Sequence, residues 1–313
     1  MHTMVVALGG NAILQKGDKG TAMDQRRNIE KTAVQLANLV QKGYKLIITH
    51  GNGPQVGNIL IQNEAARSKV PEMPMDICGA QSQGMIGYML QMYMQNALNK
   101  RNLQIPVSTL ITQTLVDKDD PAFCNPTKPV GPFYCESKSQ ERVRNYGETW
   151  IEDAGRGWRR VVPSPEPKYI IETPSIKALV EQGHAVICSG GGGIPVIVGQ
   201  DGCLQGVEAV IEKDLSAERL ATSLGADSLL ILTNVNGAAL DYTASGQVWL
   251  GRVKIPELLG YLAEGHFLEG SMGPKVRAII RFIQHGGKYA VIASLDRAEE
   301  AVRGETGTIL TPD

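Results

Sequence analysis

Two lysines and an aspartate occur where a charged side chain requires an explanation. Lys213 and Asp214 end an apolar run in the segment EAVIEKD, directly before the helical pattern LSAERLATSL. Lys275, in the segment GSMGPK, lies in the first turn of another predicted helix, where a cation opposes the helix dipole. A phosphate at the helix start would remove this conflict, which suggests phosphoryl transfer with Asp214 orienting the lysines. The simpler alternative makes Asp214 a helix N-cap and Lys213 a solvated residue.

Four glycine-bearing loops follow predicted strands, where an anion could bind. They are GGNA (9–12), HGNGPQVG (50–57), SGGGG (189–193) and TNVNG (233–237). Ligands of open α/β sheets bind beyond the carboxyl ends of the strands, and glycine loops leading toward helices expose N–H groups that bind oxyanions. One such loop alone is more often a tight turn. Four together predict a site for several anionic groups, such as a nucleotide polyphosphate and a small carboxylate.

The segment CNPTKPVGPF (124–133) places Lys128 among the prolines Pro126, Pro129 and Pro132. Three prolines at this spacing exclude a helix and make a central strand improbable. A rigid surface loop is one interpretation. The other is a lid-like arm, whose stiffness reduces the conformational entropy lost when Lys128 closes over a bound anion.

Composition excludes several classes of protein. The hydrophobic content is 42%, the charged content is 20% and the formal net charge is −1, so there is no general attraction to nucleic acid or acidic membranes. The sequence contains no GxGxxG, Walker P-loop, HExxH or EF-hand motif. Its five cysteines form no CxxC pair, and no apolar run approaches the length of a membrane span. We expect a cytoplasmic protein that binds neither nucleic acid nor membranes.

Alternating β-rich runs and helical patterns predict a single α/β domain over residues 1–313, with a mostly parallel sheet covered on both faces. The predicted strands are Met4–Leu8, Lys45–Thr49, Pro106–Thr112, His184–Ser189, Ser228–Thr233 and Tyr289–Ser294. The predicted helices are 24–42, 58–68, 76–100, 174–182, 256–264 and 275–285. The alternation fails over residues 117–167, which predicts a protruding subdomain anchored by Phe133, Tyr134, Trp150 and Trp158.

Seven segments spread from Val5 to about Val276 carry a family resemblance. They are VVALGGNAI, HGNGPQVGN, NPTKPVGPF, EDAGRGWRRVVPSPEP, GGGGIPV, GVEAVIEKD and GSMGPKV. Together they resemble carbamate kinases, a branch of the amino-acid-kinase fold. The resemblance implies a three-layer α/β/α sandwich, a homodimer, and reversible phosphoryl transfer between ATP and carbamate that yields ADP and carbamoyl phosphate. Such enzymes run toward ATP in fermentative arginine breakdown, and Mg²⁺ would arrive with ATP or ADP.

The resemblance also assigns roles to the residues of the matching motifs. Lys213 and Lys275 would stabilise the transferring phosphoryl group, Asp214 would hold them in place, and Lys128 would reach carbamoyl phosphate. The expected phosphate- and substrate-binding residues are Gly9, Gly10, Asn11, Gly51, Asn52, Gly53, Gly190, Gly191 and Gly192. The expected nucleotide-binding residues are Thr233, Asn234, Val235, Gly273 and Lys275. No residue is expected to ligate a metal ion directly.

Three positions differ from what the resemblance implies. Ala7 lies on the first strand where acetylglutamate kinases and their relatives carry a lysine, so Lys128 or Lys213 must supply that cation. Glu212 replaces the first aspartate of the family's DKD, which we interpret as a minor change. The segment TNVNGAALDY (233–242) also departs from the family pattern, which is expected to affect the fit of the nucleotide base.

Two other functions are open from the sequence. A related acyl-phosphate kinase would act on another small carboxylate, although the proline-rich segment 124–133 belongs to the carbamate branch. A weakly active paralogue would bind ligands for regulation, although Lys128, Lys213, Asp214 and Lys275 are all present. A substrate panel distinguishes the first alternative, and nucleotide binding without turnover would indicate the second.

Overall fold

Strands and helices alternate along the chain, of which the computed structural model describes residues 2–153, 155–242 and 246–312. In this part of the chain the helices are α1 (Ala22–Gln41), α2 (Gly53–Ala66), α3 (Met75–Asn99), α4 (Glu136–Tyr146), α5 (Thr173–Glu181), α6 (Lys213–Ser223), α7 (Ile255–Ala263), α8 (Met272–Gln284) and α9 (Ala298–Val302). The strands are β1 (Thr3–Leu8), β2 (Lys45–His50), β3 (Val107–Thr109), β4 (Gln113–Leu115), β5 (Lys128–Tyr134), β6 (Thr149–Glu152), β7 (Trp158–Val162), β8 (Tyr169–Ile170), β9 (Ala185–Ile187), β10 (Ile194–Val198), β11 (Leu204–Gly206), β12 (Ser228–Thr233), β13 (Ala239–Leu240), β14 (Val248–Trp249), β15 (Arg252–Val253), β16 (Tyr289–Ser294) and β17 (Thr308–Leu310).

The central sheet has eight strands in the order β15-β17-β16-β12-β1-β2-β9-β3. Every neighbouring pair is parallel except β16 and β17. Strands that are buried on both faces read as continuous apolar runs, and MVVAL in β1 is such a run. The predicted mostly parallel sheet is therefore confirmed.

Helices cover both faces of this sheet, because alternate side chains of β1 enter two different cores. Val6 and Leu8 belong to one core with residues of α1, α3 and α9. Val5 and Ala7 belong to the other core with residues of α5, α6, α7 and α8. This alternation follows from the two-residue period of a strand. It confirms the expected three-layer α/β/α sandwich.

The predicted strand over Pro106–Thr112 is wrong as a single element. Its first half, β3, belongs to the central sheet, whereas the chain continues as β4 in a second sheet of order β11-β10-β4-β8. A side chain of α3 holds this break, since Gln83 Oε1 accepts a hydrogen bond of 2.9 Å from the Thr112 backbone. The Thr112 hydroxyl in turn accepts a bond of 2.7 Å from the Ser189 backbone.

The interpretation of the Lys128 segment as a loop is also wrong, because residues Lys128–Tyr134 form strand β5. This strand lies at the edge of a three-stranded sheet of order β5-β7-β6. Pro129 and Pro132 are tolerated there, since an edge strand has hydrogen-bonding partners on one side only. The expectation that this segment is not a central strand stands.

Aromatic side chains join the elements around this small sheet. The rings of Tyr134 and Trp150 meet edge to face with their centroids 5.3 Å apart. The guanidinium groups of Arg156 and Arg159 each lie 5.1 Å from the centre of the Phe133 ring. A third apolar cluster, containing Val56 of α2 and Val130 of β5, packs the sheet against the main body.

Candidate active site

Four glycine loops meet at one edge of the central sheet, because they follow the neighbouring strands β12, β1, β2 and β9. The Gly9 N–H donates to the Leu232 carbonyl over 2.8 Å, and the Gly51 N–H donates to the Leu8 carbonyl over 3.0 Å. A Cβ added to Gly51 would lie 3.4 Å from the Gly10 nitrogen. The absence of a side chain therefore lets these backbones approach each other.

Only one of the four loops leads directly into an α-helix, which corrects the expectation for the others. The loop after β2 enters α2 at Gly53 instead of near Asn58. The loops after β1 and β9 each contain a single turn of 3₁₀ helix, at Gly10–Ala12 and Gly190–Gly192, and the loop after β12 leads to the strand β13. A helix dipole can thus contribute to anion binding at the loop after β2.

A carboxylate and two ammonium groups form the most polar part of this edge. Asp214 is only 2% exposed, and its Oδ1 accepts a hydrogen bond of 2.5 Å from Lys213 Nζ. Its Oδ2 accepts a bond of 3.0 Å from Lys275 Nζ. The structure therefore brings Lys275 to the neighbouring residues Lys213 and Asp214, from which it lies about sixty residues away in the sequence, and we call these three residues the Lys–Asp–Lys cluster.

The N termini of two helices position this cluster. Helix α6 begins at Lys213 itself, with Glu212 as its N-cap, so the expectation that both residues precede the helix is wrong. The alternative role of Asp214 as the N-cap is wrong for the same reason. Lys275 is the fourth residue of α8, and its ammonium also donates to the Ser271 carbonyl over 3.1 Å.

Burial and charge act against each other on the cluster. Burial raises the pKa of Asp214, but the charges of Lys213 and Lys275 outweigh this effect and lower that pKa to about 2. Burial lowers the pKa of Lys213, Asp214 opposes this shift, and Lys275 adds to it. Asp214 thus stays ionised at neutral pH and compensates one of the two ammonium charges. The remaining positive charge suits a phosphoryl group.

The two lysines of the cluster line a cavity of about 340 Å³. Six residues predicted from the glycine loops also line it: Gly9, Gly10, Asn11, Thr233, Asn234 and Val235. Its remaining wall includes Tyr242, Phe267 and Leu268, whose apolar surfaces suit a nucleotide base. Gly273, predicted to bind nucleotide, is buried next to the Leu268 carbonyl and is not among the residues that line this cavity.

A smaller cleft of about 120 Å³ lies on the other side of the loop after β2. Asn52, Gly53, Gly191 and Lys128 are among the residues that line it. Gly51 lies between the two spaces, because it directly precedes Asn52 of the small cleft and its added Cβ would lie 3.4 Å from Gly10 N and Lys213 Cδ of the larger cavity. The small cleft and the larger cavity are therefore neighbours.

Gly190 and Gly192 were predicted to bind phosphate or substrate, but they are not among the residues that line either space. Gly190 packs against the ring of His50, and its carbonyl accepts a hydrogen bond of 3.0 Å from Gln83. Gly192 packs against Ile211. Burial lowers the pKa of His50 to about 4 and outweighs the hydrogen bond to the Gly51 carbonyl, so this ring is neutral and structural.

Sequence reasoning missed two charged neighbours of the small cleft. Arg159 lines it, and Glu212, interpreted above as a minor replacement, forms an ion pair with Lys128. The position of Glu212 directly before Lys213 was the available signal for the second residue. Arg159 lies in the run WRR of β7, where the sequence does not show which arginine faces the cleft.

Neither a metal cage nor a membrane helix is found within residues 2–153, 155–242 and 246–312. No group of three or more His, Cys, Asp or Glu side chains there could hold a metal ion. None of the helices in those ranges is both long enough and apolar enough to cross a bilayer.

Comparison with known proteins defines the class to which this arrangement belongs. The sequence model of the protein family described as "Amino acid kinase family" matches residues 2–294 of the chain. That range includes the whole Lys–Asp–Lys cluster and all four glycine loops, so both the fold and the candidate site lie within the matched region.

Individual relatives narrow this class. The carbamate kinase of Pyrococcus horikoshii is 56% identical over 311 residues, covering 99% of this chain and 99% of that protein. The carbamate kinase of Thermococcus kodakarensis is 56% identical over 311 residues, covering 98% of each. The structure of carbamate kinase from Giardia lamblia bound to AMP-PNP matches with a TM-score of 0.94 at 47% identity, covering 100% of this chain and 99% of that chain. The chain therefore belongs to the amino acid kinase family, and within it to the carbamate kinases.

Replacing Asp214 by asparagine measures what the buried carboxylate contributes to stability. Because its pKa is lowered from 3.8 to about 2 in the folded protein, ionised Asp214 stabilises the fold above the higher value. This contribution is lost as the pH falls toward the lower value. We expect the Asp214→Asn variant to be less stable by roughly 2 kcal/mol at about pH 7, and the difference to shrink between about pH 4 and pH 2. Urea unfolding followed by circular dichroism measures both quantities.

The Asp117→Asn variant is the matched control. Asp117 pairs with Lys168 at the surface, where both side chains are exposed, so we expect little change in stability. A stability difference for Asp214→Asn that does not depend on pH would contradict the electrostatic origin of the effect.

Proposed function

We propose that this protein catalyses reversible transfer of the γ-phosphoryl group of ATP to carbamate, and that it runs toward ATP in the breakdown of carbamoyl phosphate derived from arginine. The observation that carries the proposal is the Lys–Asp–Lys cluster beside two spaces of different size. Membership of the carbamate kinases supports the choice of carbamate over another small carboxylate.

In this proposal the two ligands enter separate spaces. The nucleotide binds in the larger cavity, with its phosphates near Gly10, Asn11 and the two lysines and its nucleoside toward Thr233–Val235. The volume of about 340 Å³ lies within the range of small-molecule sites. Carbamate or carbamoyl phosphate binds in the smaller cleft near Asn52, Gly53 and Lys128.

The transfer itself requires positioning and charge, and no general base. A carbamate oxygen attacks the γ-phosphorus, the bond to the oxygen shared with the β-phosphate breaks, and no proton has to leave the nucleophile. Lys213 and Lys275 stabilise the charge spread over the moving phosphoryl oxygens. Asp214 is unsuited to act as a base, because its pKa is about 2 and both of its oxygens accept hydrogen bonds from the lysines.

Mg²⁺ is expected to accompany the nucleotide and to neutralise charge on its phosphates. The donor set of the described residues fits a phosphate-bound ion better than a protein-bound one. The acidic side chain of the cluster, Asp214, has both oxygens occupied by ammonium groups. Mg²⁺ would therefore be held by phosphate oxygens and water, with the lysines contacting the remaining phosphate oxygens.

Residues 117–167 serve in this proposal as a protruding subdomain inserted in the single domain 1–313. The small sheet β5-β7-β6 and helix α4 lie within this range, and Lys128 begins the edge strand that reaches the small cleft. The subdomain would act as the lid-like arm that closes over carbamoyl phosphate.

The assay that tests the function measures ATP formation from ADP and carbamoyl phosphate. We expect the wild-type protein to form ATP, and the Lys213→Ala and Lys275→Ala variants to lose about a hundredfold or more in kcat while remaining folded. The matched control is Lys288→Ala, since Lys288 is exposed and pairs with Asp227 before β16 and β12, at the opposite edge of the sheet.

Three results would contradict parts of this proposal. Near-normal turnover of either active-site variant would remove the role assigned to that lysine. Faster turnover of acetyl phosphate or N-acetylglutamyl phosphate than of carbamoyl phosphate would show a related acyl-phosphate kinase. Tight ADP binding without turnover would indicate a regulatory paralogue.

Replacing Lys128 by alanine separates the two ligands. Because Lys128 lines the small cleft and not the nucleotide cavity, we expect KM for carbamoyl phosphate to rise by about tenfold or more, with KM for ADP nearly unchanged. Initial-rate kinetics with each substrate varied in turn measure both constants. Equal losses for the two ligands would show that this strand is only structural support.

The protein is also proposed to work as a homodimer through one face of α3. Ile77, Met85 and Tyr88 lie on that face, and Tyr88 is 57% exposed. We expect the wild type to sediment as a dimer and the Tyr88→Glu variant to shift toward the monomer, because a buried unpaired charge opposes association. The control is Met23→Glu on α1, which is exposed elsewhere on the surface and should leave the mass unchanged. A monomeric wild type would contradict the proposal.

The proposed location is the cytoplasm, with small molecules and not nucleic acid as ligands. The five cysteines are free thiols, which suits a reducing compartment. The formal net charge of −1 provides no general attraction to nucleic acid. Recovery of the protein from a membrane or extracellular fraction of its cells would contradict this location.

A further inference from the structure

An ion pair links the small sheet to the residue that precedes the Lys–Asp–Lys cluster. Lys128 Nζ of β5 donates to the Glu212 carboxylate, and the two side chains are 25% and 19% exposed. Glu212 is followed directly by Lys213. The pair is therefore mostly shielded from solvent and lies between the small cleft and the cluster.

Backbone structure fixes the position of both partners. Glu212 is the N-cap of α6, where its carbonyl accepts a hydrogen bond of 3.0 Å from the Ser216 N–H. Lys128 lies two residues before Val130, so both side chains project from the same face of β5. Val130 is buried against the main body in the third apolar cluster, and this directs Lys128 toward Glu212.

We propose that Glu212 is a positioning residue that holds the Lys128 ammonium at the small cleft before the anionic substrate binds. The role rests on the proposed function, in which carbamoyl phosphate occupies that cleft. A lysine side chain loses considerable rotamer freedom when it binds a ligand, and a partner that orders it beforehand removes part of this loss from the binding step. An ammonium has three donors, so one bond to Glu212 leaves two for the substrate.

The chain contains a second ion pair that serves as a comparison. Arg160 of β7 pairs with Glu208 over 2.8 Å, and so joins the same small sheet to the same segment of the main body. Glu208 is 55% exposed, and it is not among the residues that line the small cleft. If Glu212 only helped to dock the small sheet, removal of Glu208 would have a similar effect.

Initial-rate kinetics of a double-mutant cycle test the proposal. We expect Glu212→Gln to raise KM for carbamoyl phosphate about tenfold, with KM for ADP changed less than about twofold. In the Lys128→Ala background, Glu212→Gln should cause no further change, because its effect passes through Lys128. Glu212→Asp should recover most of the affinity, whereas Glu208→Gln should behave like the wild type.

Calorimetric titration with carbamoyl phosphate alone separates this proposal from the proposed function. A wild type that forms no ATP would overturn the function, and the titration would still show whether Glu212→Gln weakens binding. A tighter rather than weaker affinity in Glu212→Gln would show that the carboxylate competes with the substrate for Lys128, and would overturn the proposal. So would an equal loss in the Lys128→Ala background, or an equal effect of Glu208→Gln. Thermal unfolding of each variant identifies any that fail to fold.

Discussion

The geometry of the candidate site depends on one buried carboxylate, that of Asp214, placed between two ammonium groups. An isolated charge at that depth would cost several kcal/mol, and two ammonium groups without it would repel each other. The cluster is therefore stable only if α6 and α8 begin side by side at the same edge of the sheet. Apolar residues of both helices, including Leu220 and Ile279, belong to one buried core, which holds the two helices together. The apolar packing of the helices thus determines where the charges lie.

The order of the central strands determines how closely the glycine loops of the candidate site approach one another. Neighbouring strands are about 4.8 Å apart, so loops that follow β12, β1 and β2 must pass close to one another. At such distances a side chain has little room: a Cβ on Gly9 would lie 3.0 Å from the Leu232 carbonyl oxygen. Gly9 is therefore required by the sheet before any ligand is considered, whereas a Cβ on Gly10 or Gly53 would meet nothing within 4 Å. The Gly9 and Gly51 N–H groups already donate to the Leu232 and Leu8 carbonyls, so the N–H groups suited to bind phosphates are those of other residues in these loops.

Short sequence patterns predicted the structural features that are caused by residues close together in the chain. The buried run of β1, the glycine turns and the conflict between Lys275 and its helix dipole can each be recognised within a few residues. The break after β3 could not be predicted in this way, because it depends on Gln83 from a distant helix. The function of Glu212 was missed for the same reason, since its partner Lys128 lies 84 residues away in the sequence. Such partners are determined by packing, which a short window of sequence does not contain.

The position of β5 at the edge of the small sheet explains why prolines are tolerated around Lys128. At the edge of a sheet, Pro129 and Pro132 lose no ladder hydrogen bonds on the unpaired side, and they discourage the addition of another strand. Helix α2 instead approaches this part of β5, where a Cβ added to Gly57 would lie 3.7 Å from the Gly131 Cα. Because Val130 is buried between the small sheet and the main body, the face that it shares with Lys128 must point toward the main body, where Lys128 pairs with Glu212. The segment 128–134 therefore forms one edge of the small sheet, attaches that sheet to the main body and places Lys128 beside Glu212. An edge position of this kind is where a proline-rich sequence can form a strand.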